Sequence, residues 1–151
     1  MAKIKKILCA IDLGEHSGLV VDYAATMALG LKAELTVLYV VPDITTYVSF
    51  YVPQLPSDMI EQMAQEGNKL MQELVNDKFK SLDIKQVSRI GYVPDEIMNQ
   101  VEEMDADMIV MGTQGRRGLN RLLLGSVAET IIKSVKIPVL IIRPREAGKP
   151  S

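Results

Sequence analysis

The residues best suited to chemistry lie in one stretch, MGTQGRRGLNRLLLGSVAET, which covers residues 111–130. The stretch combines four glycines with three arginines, and it separates an apolar run from an apolar helical pattern. Glycine has no Cβ, so backbone amides in such a segment can approach an anion closely. The helix predicted to begin near Ser126 adds first-turn amides that carry partial positive charge. The stretch therefore predicts a phosphate-binding loop.

Each residue of this proposed loop also has a plainer interpretation. The spacing from Ser126 to Glu129 fits a capping box, in which the serine only caps a helix. Arginines in a surface loop are commonly solvated and have no ligand. Elsewhere, Asp12 could form an Asx turn before the first helix, and His16, the single histidine, is expected to be exposed there without a role. It is the combination of glycines, charge and helix start that favours a phosphate.

Apolar runs and helical patterns alternate along the chain. The runs are nearly continuous in apolar residues, which is typical of strands in a parallel sheet covered on both faces. Right-handed crossovers then favour a doubly wound α/β layer with helices on both sides. The predicted strands are 4–11, 33–41, 83–92, 107–112 and 137–144, and the predicted helices are 17–32, 57–82, 93–106 and 126–135.

Composition narrows the class of protein further. The 151 residues suit one domain, which we place at 1–144 with a disordered tail at 145–151. A net charge of −2 argues against nucleic acid as a partner, and no apolar stretch reaches the ~20 residues that crossing a membrane requires. The single cysteine, Cys9, is expected to be a small buried hydrophobic residue in a cytoplasmic protein.

The predicted topology brings two distant segments together. In an open α/β sheet, ligands bind beyond the carboxyl ends of the strands, at the point where the winding direction reverses. Asp12 follows the first strand and Gly112 follows Met111 at the end of the fourth. Both should therefore lie at one crevice on the same edge of the sheet.

Comparison with known phosphate-binding motifs indicates which class of nucleotide site the chain resembles. The chain lacks G-x-x-x-x-G-K-[ST], and it lacks G-x-G-x-x-G after the first strand. The spacing that it does contain, Gly112-x2-Gly115-x9-Gly125-Ser126, resembles the ATP-binding signature of the universal stress protein family. The resemblance extends over nearly the whole chain, through the segments KKILCAID, ELTVLYVV, GYVPDEI, ADMIVMGTQG and LLLGSVAETIIKSVKIPVLIIRP.

This resemblance implies a flavodoxin-like, Rossmann-like sheet of five strands in the order 3-2-1-4-5, with ATP as the ligand and Mg²⁺ bound with it. Glycines and the N-terminus of the last helix would hold the phosphates and ribose, and other positions would line the nucleoside. Asp12 would help to hold the metal only through the phosphates. The implied site, with two loop arginines added for their charge, comprises Ala10, Asp12, Val40, Met111, Gly112, Gly115, Arg116, Arg117, Gly125, Ser126 and Val127.

The same resemblance implies a homodimer formed through the last strand. An apolar terminal strand of this kind would leave an uncovered edge that invites pairing with a second copy. The leading functional hypothesis is a cytoplasmic ATP-binding regulatory module in stress response, acting on a protein partner that the sequence does not identify.

Two alternatives stay open. One is a slow ATPase or nucleotide-dependent transferase, although no general base is evident near the motif and no catalytic residue is assigned. The other is a scaffold that binds proteins through its dimer faces and the aromatic loop at Tyr47–Tyr51.

Overall fold

A computed structural model describes residues 1–44, 58–76, 79–113 and 124–144. Strands and helices alternate strictly in these ranges, as the pattern predicts. The aromatic loop at Tyr47–Tyr51, the central part of the glycine stretch and the tail at 145–151 lie outside the described residues. The elements are β1 (Lys6–Ile11), α1 (Ser17–Leu31), β2 (Glu34–Pro42), α2 (Met59–Asn76), β3 (Ile84–Gly91), α3 (Val93–Met104), β4 (Met108–Gly112), α4 (Ser126–Ser134) and β5 (Val139–Ile142).

The five strands form one parallel sheet in the order β3-β2-β1-β4-β5, which confirms the predicted fold class. β1 lies at the centre, where Cys9 pairs with Val37 of β2 on one side and with Val110 of β4 on the other. The chain winds outward from β1 through β2 to β3 and then crosses back to β4. The boundary between β1 and β4 is therefore the point where the winding direction reverses.

Helices cover both faces of the sheet. α1 and α2 pack on one face and α3 and α4 on the other, so alternate residues of the central strands point into two separate cores. Cys9 belongs to the first core and is fully buried, as expected for a small hydrophobic residue. Burial raises the pKa of its thiol to about 12, so the thiol is neutral in the folded protein.

Each strand differs from its predicted bounds by one or two residues at one end or both, and the differences in β1 and β2 have identifiable reasons. β1 begins at Lys6 rather than residue 4 because the Asp107 carboxylate accepts the backbone N–H groups of Lys5 and Lys6, at 2.8 and 2.9 Å. β2 extends to Pro42, which needs no N–H as the last residue of the strand. The next residue, Asp43, makes the hydrogen bond to β3 instead, since its N–H donates to the Gly91 carbonyl at 3.1 Å.

Candidate functional site

A pocket of about 110 Å³ lies at the carboxyl ends of the strands, at the boundary between β1 and β4. Its walls come from both sides of the sheet, because α1 contributes from one face while α3 and α4 contribute from the other. This is the edge where open α/β sheets bind ligands. The two segments that the topology predicts to converge, after Asp12 and at Gly112, both line the pocket.

The loop between β1 and α1 is folded around the Asp12 carboxylate. Its Oδ1 atom accepts the Gly14 N–H at 2.8 Å and the Ser17 hydroxyl at 3.1 Å. The first of these bonds is the Asx turn that the sequence allowed. Leu13 completes the turn in the left-handed region with φ of 60°, and Ser17 is buried. The loop therefore holds the start of α1 in a defined position at the pocket.

The far side of the pocket is formed where the glycine stretch returns to the sheet. Thr113 donates its N–H to the Ile142 carbonyl at 3.2 Å, and Gly125 donates its N–H to the Thr113 carbonyl. These bonds tie the two ends of the glycine stretch to each other and to β5. As a result, α4 starts directly at the rim of the sheet.

The start of α4 corrects one sequence-based interpretation. The N-cap residue is Gly125, in an extended conformation with φ of −63° and ψ of 156°, and Ser126 is already the first helical residue. A capping box from Ser126 to Glu129 is therefore wrong; the Glu129 carboxylate instead accepts a hydrogen bond from Lys133 at 2.8 Å. Gly125 supplies no side-chain cap, and within the described ranges no side-chain cap hydrogen bond is made at the start of this helix.

α1 resembles α4 in this respect. Its N-cap residue, His16, makes no side-chain cap hydrogen bond, and the first turn of α1 contains no acidic residue. Residues at the beginning of both helices line the same pocket, namely His16 and Ser17 of α1 and Val127 and Ala128 of α4. Two partially positive helix ends thus meet at one cavity, an arrangement suited to an anion.

The residues assigned to the site from the sequence are distributed unequally around this pocket. Ser126 and Val40 are described but do not line it; Ser126 directly precedes a lining residue, and Val40 is buried near the end of β2. Gly115, Arg116 and Arg117 lie outside the described residues. The assigned residues that line the pocket are Ala10, Asp12, Met111, Gly112, Gly125 and Val127.

Sequence reasoning missed part of the wall. Val93 and Ile97 line the pocket from the first two turns of α3, and His16 lines it from the start of α1. Ile97 lies on the apolar face of α3, and helical periodicity alone does not distinguish a core residue from a pocket residue. No signal in the sequence indicated a role for His16.

A polar network holds α3 in position beside the pocket. Arg89 of β3 donates hydrogen bonds to Glu96 at 2.6 Å, Gln100 at 3.1 Å and Glu103 at 2.9 Å. Its hydrogen bonds to Glu96 and Glu103 raise the pKa of Arg89 above its ordinary value. Because Val93 and Ile97 are on the same helix, this network also fixes one wall of the pocket.

The described part of the pocket carries little charge. Of the described lining residues, only Asp12 and His16 have ionisable side chains. Within the described ranges, no cluster of three or more His, Cys, Asp or Glu residues could hold a metal ion. Among the helices of the described residues, none has the length and apolar character needed to cross a membrane.

Known proteins share this chain's sequence pattern and fold. A universal stress protein from Methanocaldococcus jannaschii is 32% identical over 142 residues, which cover 92% of this chain and 82% of the relative. The solved structure of the hypothetical protein MJ0577 has a TM-score of 0.81 at 23% identity and covers 97% of this chain and all of that one.

A universal stress protein solved in complex with cAMP also has the same fold. Its TM-score is 0.62 at 21% identity, with 94% of this chain and 98% of that chain covered. At this identity the likeness establishes the fold alone. The model of the universal stress protein family matches residues 3–143, nearly the full length. The chain therefore belongs to the universal stress protein family.

Proposed function

We propose that the protein binds an adenine nucleotide in the pocket between β1 and β4, with ATP and its Mg²⁺ as the physiological ligand. In this proposal the protein acts as a cytoplasmic regulatory module in stress response. The observation that carries the proposal is the meeting of two helix N-termini at the pocket between β1 and β4, where neither N-cap residue, His16 or Gly125, makes a side-chain cap hydrogen bond among the described residues. The cAMP complex of a protein with the same fold supports an adenine nucleotide as the class of ligand.

In this proposal the phosphates lie at the start of α4, where Gly125 leaves the amides accessible. The Mg²⁺ ion is held by the phosphates, and Asp12 acts on it only through them. Val40 meets adenine through its backbone at the end of β2, since its side chain belongs to the core. The remaining residues contact the nucleoside or supply backbone donors and charge, namely Ala10, Met111, Gly112, Gly115, Arg116, Arg117, Ser126 and Val127.

Substitution of Gly125 tests the phosphate position directly. The extended conformation of Gly125 suits a side chain, so Gly125→Asp and Gly125→Asn should each cap α4 and leave the fold at least as stable. Gly125→Asp also places a negative charge where the phosphates are expected, whereas Gly125→Asn does not. We expect Gly125→Asp to abolish binding of Mg-ATP, and Gly125→Asn to weaken it only partly.

Binding is measured by calorimetry and by thermal denaturation with Mg-ATP, ADP, AMP and cAMP. At a ligand concentration one hundred times the dissociation constant, the free energy of unfolding of the wild type should rise by about 2.7 kcal/mol. Wild-type protein that responds to none of these nucleotides would disprove the proposal. Wild-type affinity in Gly125→Asp would exclude the start of α4 as the phosphate site, and sustained ADP release would favour the ATPase alternative.

We also propose that two copies pair through β5 to form a homodimer. β5 is an edge strand of four apolar residues, and only one of them, Ile142, is buried. The carbonyls of Pro138 and Ile142 bond to the β4 side, so the N–H groups of Val139 and Ile141, at the alternate positions, point away from the sheet.

Hydrogen exchange tests this interface without a mutation. In a dimer paired through β5, the amides of Val139 and Ile141 should be protected, and dilution below the dissociation constant should remove this protection. The amides of β1 serve as the control because they are buried in either state. A dimer by light scattering in which the Val139 and Ile141 amides exchange freely would place the interface elsewhere.

A further inference from the structure

We propose that His16 is a proton-linked phosphate contact, whose protonated imidazole binds the phosphate chain of the nucleotide. This inference rests on the proposed function and adds a residue that no motif identified. His16 lines the pocket from the N-cap position of α1. The Asx turn at Asp12 and the buried Ser17 hold the backbone on either side of it in place.

The charges around the pocket favour such a role. A phosphate chain entering the pocket meets the carboxylate of Asp12, and of the described lining residues only His16 can supply a positive charge. The lining residues from β4, β5, α3 and α4 do not ionise, and Arg143 is adjacent to the lining residue Pro144 without lining the pocket itself. Histidine changes its charge between about pH 5 and 8.

The present partner of His16 can be replaced by a ligand. Its Nε2 atom lies 3.0 Å from Oε1 of Glu15, and the side chains are 50% and 85% exposed. Exposed pairs of this kind contribute little stability, because water competes for both charges. A phosphate group carries more charge than one carboxylate, and the helix ends stabilise it further. The imidazole can therefore exchange Glu15 for a phosphate.

The test measures the affinity for Mg-ATP between pH 5.5 and 8.5 in the wild type and in His16→Gln. Because His16 makes no side-chain cap bond, the substitution should leave α1 intact. We expect wild-type affinity, relative to His16→Gln, to fall roughly tenfold as the pH rises over this range, which is the scale of one charge-assisted hydrogen bond. The ratio removes the titration of ATP itself.

Three further measurements separate the interpretations. Adenosine, which has no phosphate, should bind both proteins equally at every pH. His16→Arg should bind Mg-ATP tightly without the added pH dependence, and Glu15→Gln should retain it. Identical pH profiles for the wild type and His16→Gln would overturn the role of His16 while leaving nucleotide binding intact. Failure of the wild type to bind Mg-ATP at any pH would overturn the nucleotide proposal and this inference with it.

Discussion

The close packing of α2 on the sheet makes a sharp prediction for Gly67. This glycine faces the ring of Tyr39 on β2, and a Cβ added at Gly67 would lie 2.7 Å from Cδ1 of the tyrosine and closer still to Cε1. Real Cβ atoms essentially never approach other heavy atoms within 3.0 Å. Tyr39 is only 6% exposed, so its ring has little room to move away. Gly67→Ala must therefore push α2 from the sheet or distort the ring.

The expected magnitude combines two opposing effects. Overpacking in a core costs about 1–3 kcal/mol, whereas replacing glycine by alanine inside a helix contributes about 1 kcal/mol of stability. Gly67→Ala should thus lower the free energy of unfolding by up to about 2 kcal/mol. Gly30→Ala is the matched control, because Gly30 is helical and a Cβ there meets nothing within 4 Å. It should raise stability by about 0.5 kcal/mol.

Urea denaturation followed by circular dichroism gives both free energies, and the thermal midpoints of the two variants should differ by roughly 2–4 °C for each kcal/mol between them. Combining Gly67→Ala with Tyr39→Leu, which shortens the opposing side chain, should remove part of the penalty in a double-mutant cycle. If Gly67→Ala is as stable as Gly30→Ala, the described contact between α2 and Tyr39 does not limit the packing, and the reasoning from that distance fails.

Three other features make independent predictions. Arg89→Met should lower the free energy of unfolding by roughly 1–3 kcal/mol in urea denaturation, because Glu96 and the buried Gln100 lose their hydrogen bonds to Arg89. Lys133→Met breaks the exposed ion pair with Glu129 and should change the free energy of unfolding by less than about 0.5 kcal/mol. The backbone N–H groups of Lys5 and Lys6 lower the pKa of Asp107. The stability that Asp107 contributes is therefore present above its ordinary pKa and is lost as the pH falls through the lowered pKa. Asp107→Asn should reduce this loss of stability at acid pH, as measured by urea denaturation across the pH range. The buried Cys9 thiol should resist iodoacetamide at pH 8 in the native protein and react after unfolding, as followed by mass spectrometry; rapid native labelling would contradict its burial.

The fold could be predicted from the sequence because it depends on a pattern repeated across many residues. The apolar runs of β1, β2 and β4 are continuous because these strands are covered on both faces, and that continuity is visible without coordinates. Strand ends were less predictable since they depend on single distant contacts. The start of β1 is set by Asp107, about one hundred residues away along the chain.

The candidate site was predictable to the extent that it relies on local sequence. Asp12 and Gly112 follow strands, so the topology places them at one edge. The capping box failed because Ser and Glu at that spacing also occur one position inside a helix, where Gly125 takes the cap and Glu129 pairs with Lys133. His16 and Val93 were missed because their proximity to the pocket arises from tertiary packing alone.

The helices differ in how the charge at their N-termini is balanced. α3 starts with Asp95 and Glu96 in its first turn, and these acids compensate the partial positive charge of its own N-terminus. α1 has no acid in its first turn, and the only acid in that of α4, Glu129, is paired with a lysine. The two helices that start at the pocket therefore have less compensation from acids of their own first turns than α3 has. Gly125→Asp should restore the balance within the chain, so stability and nucleotide affinity should change in opposite directions at this position.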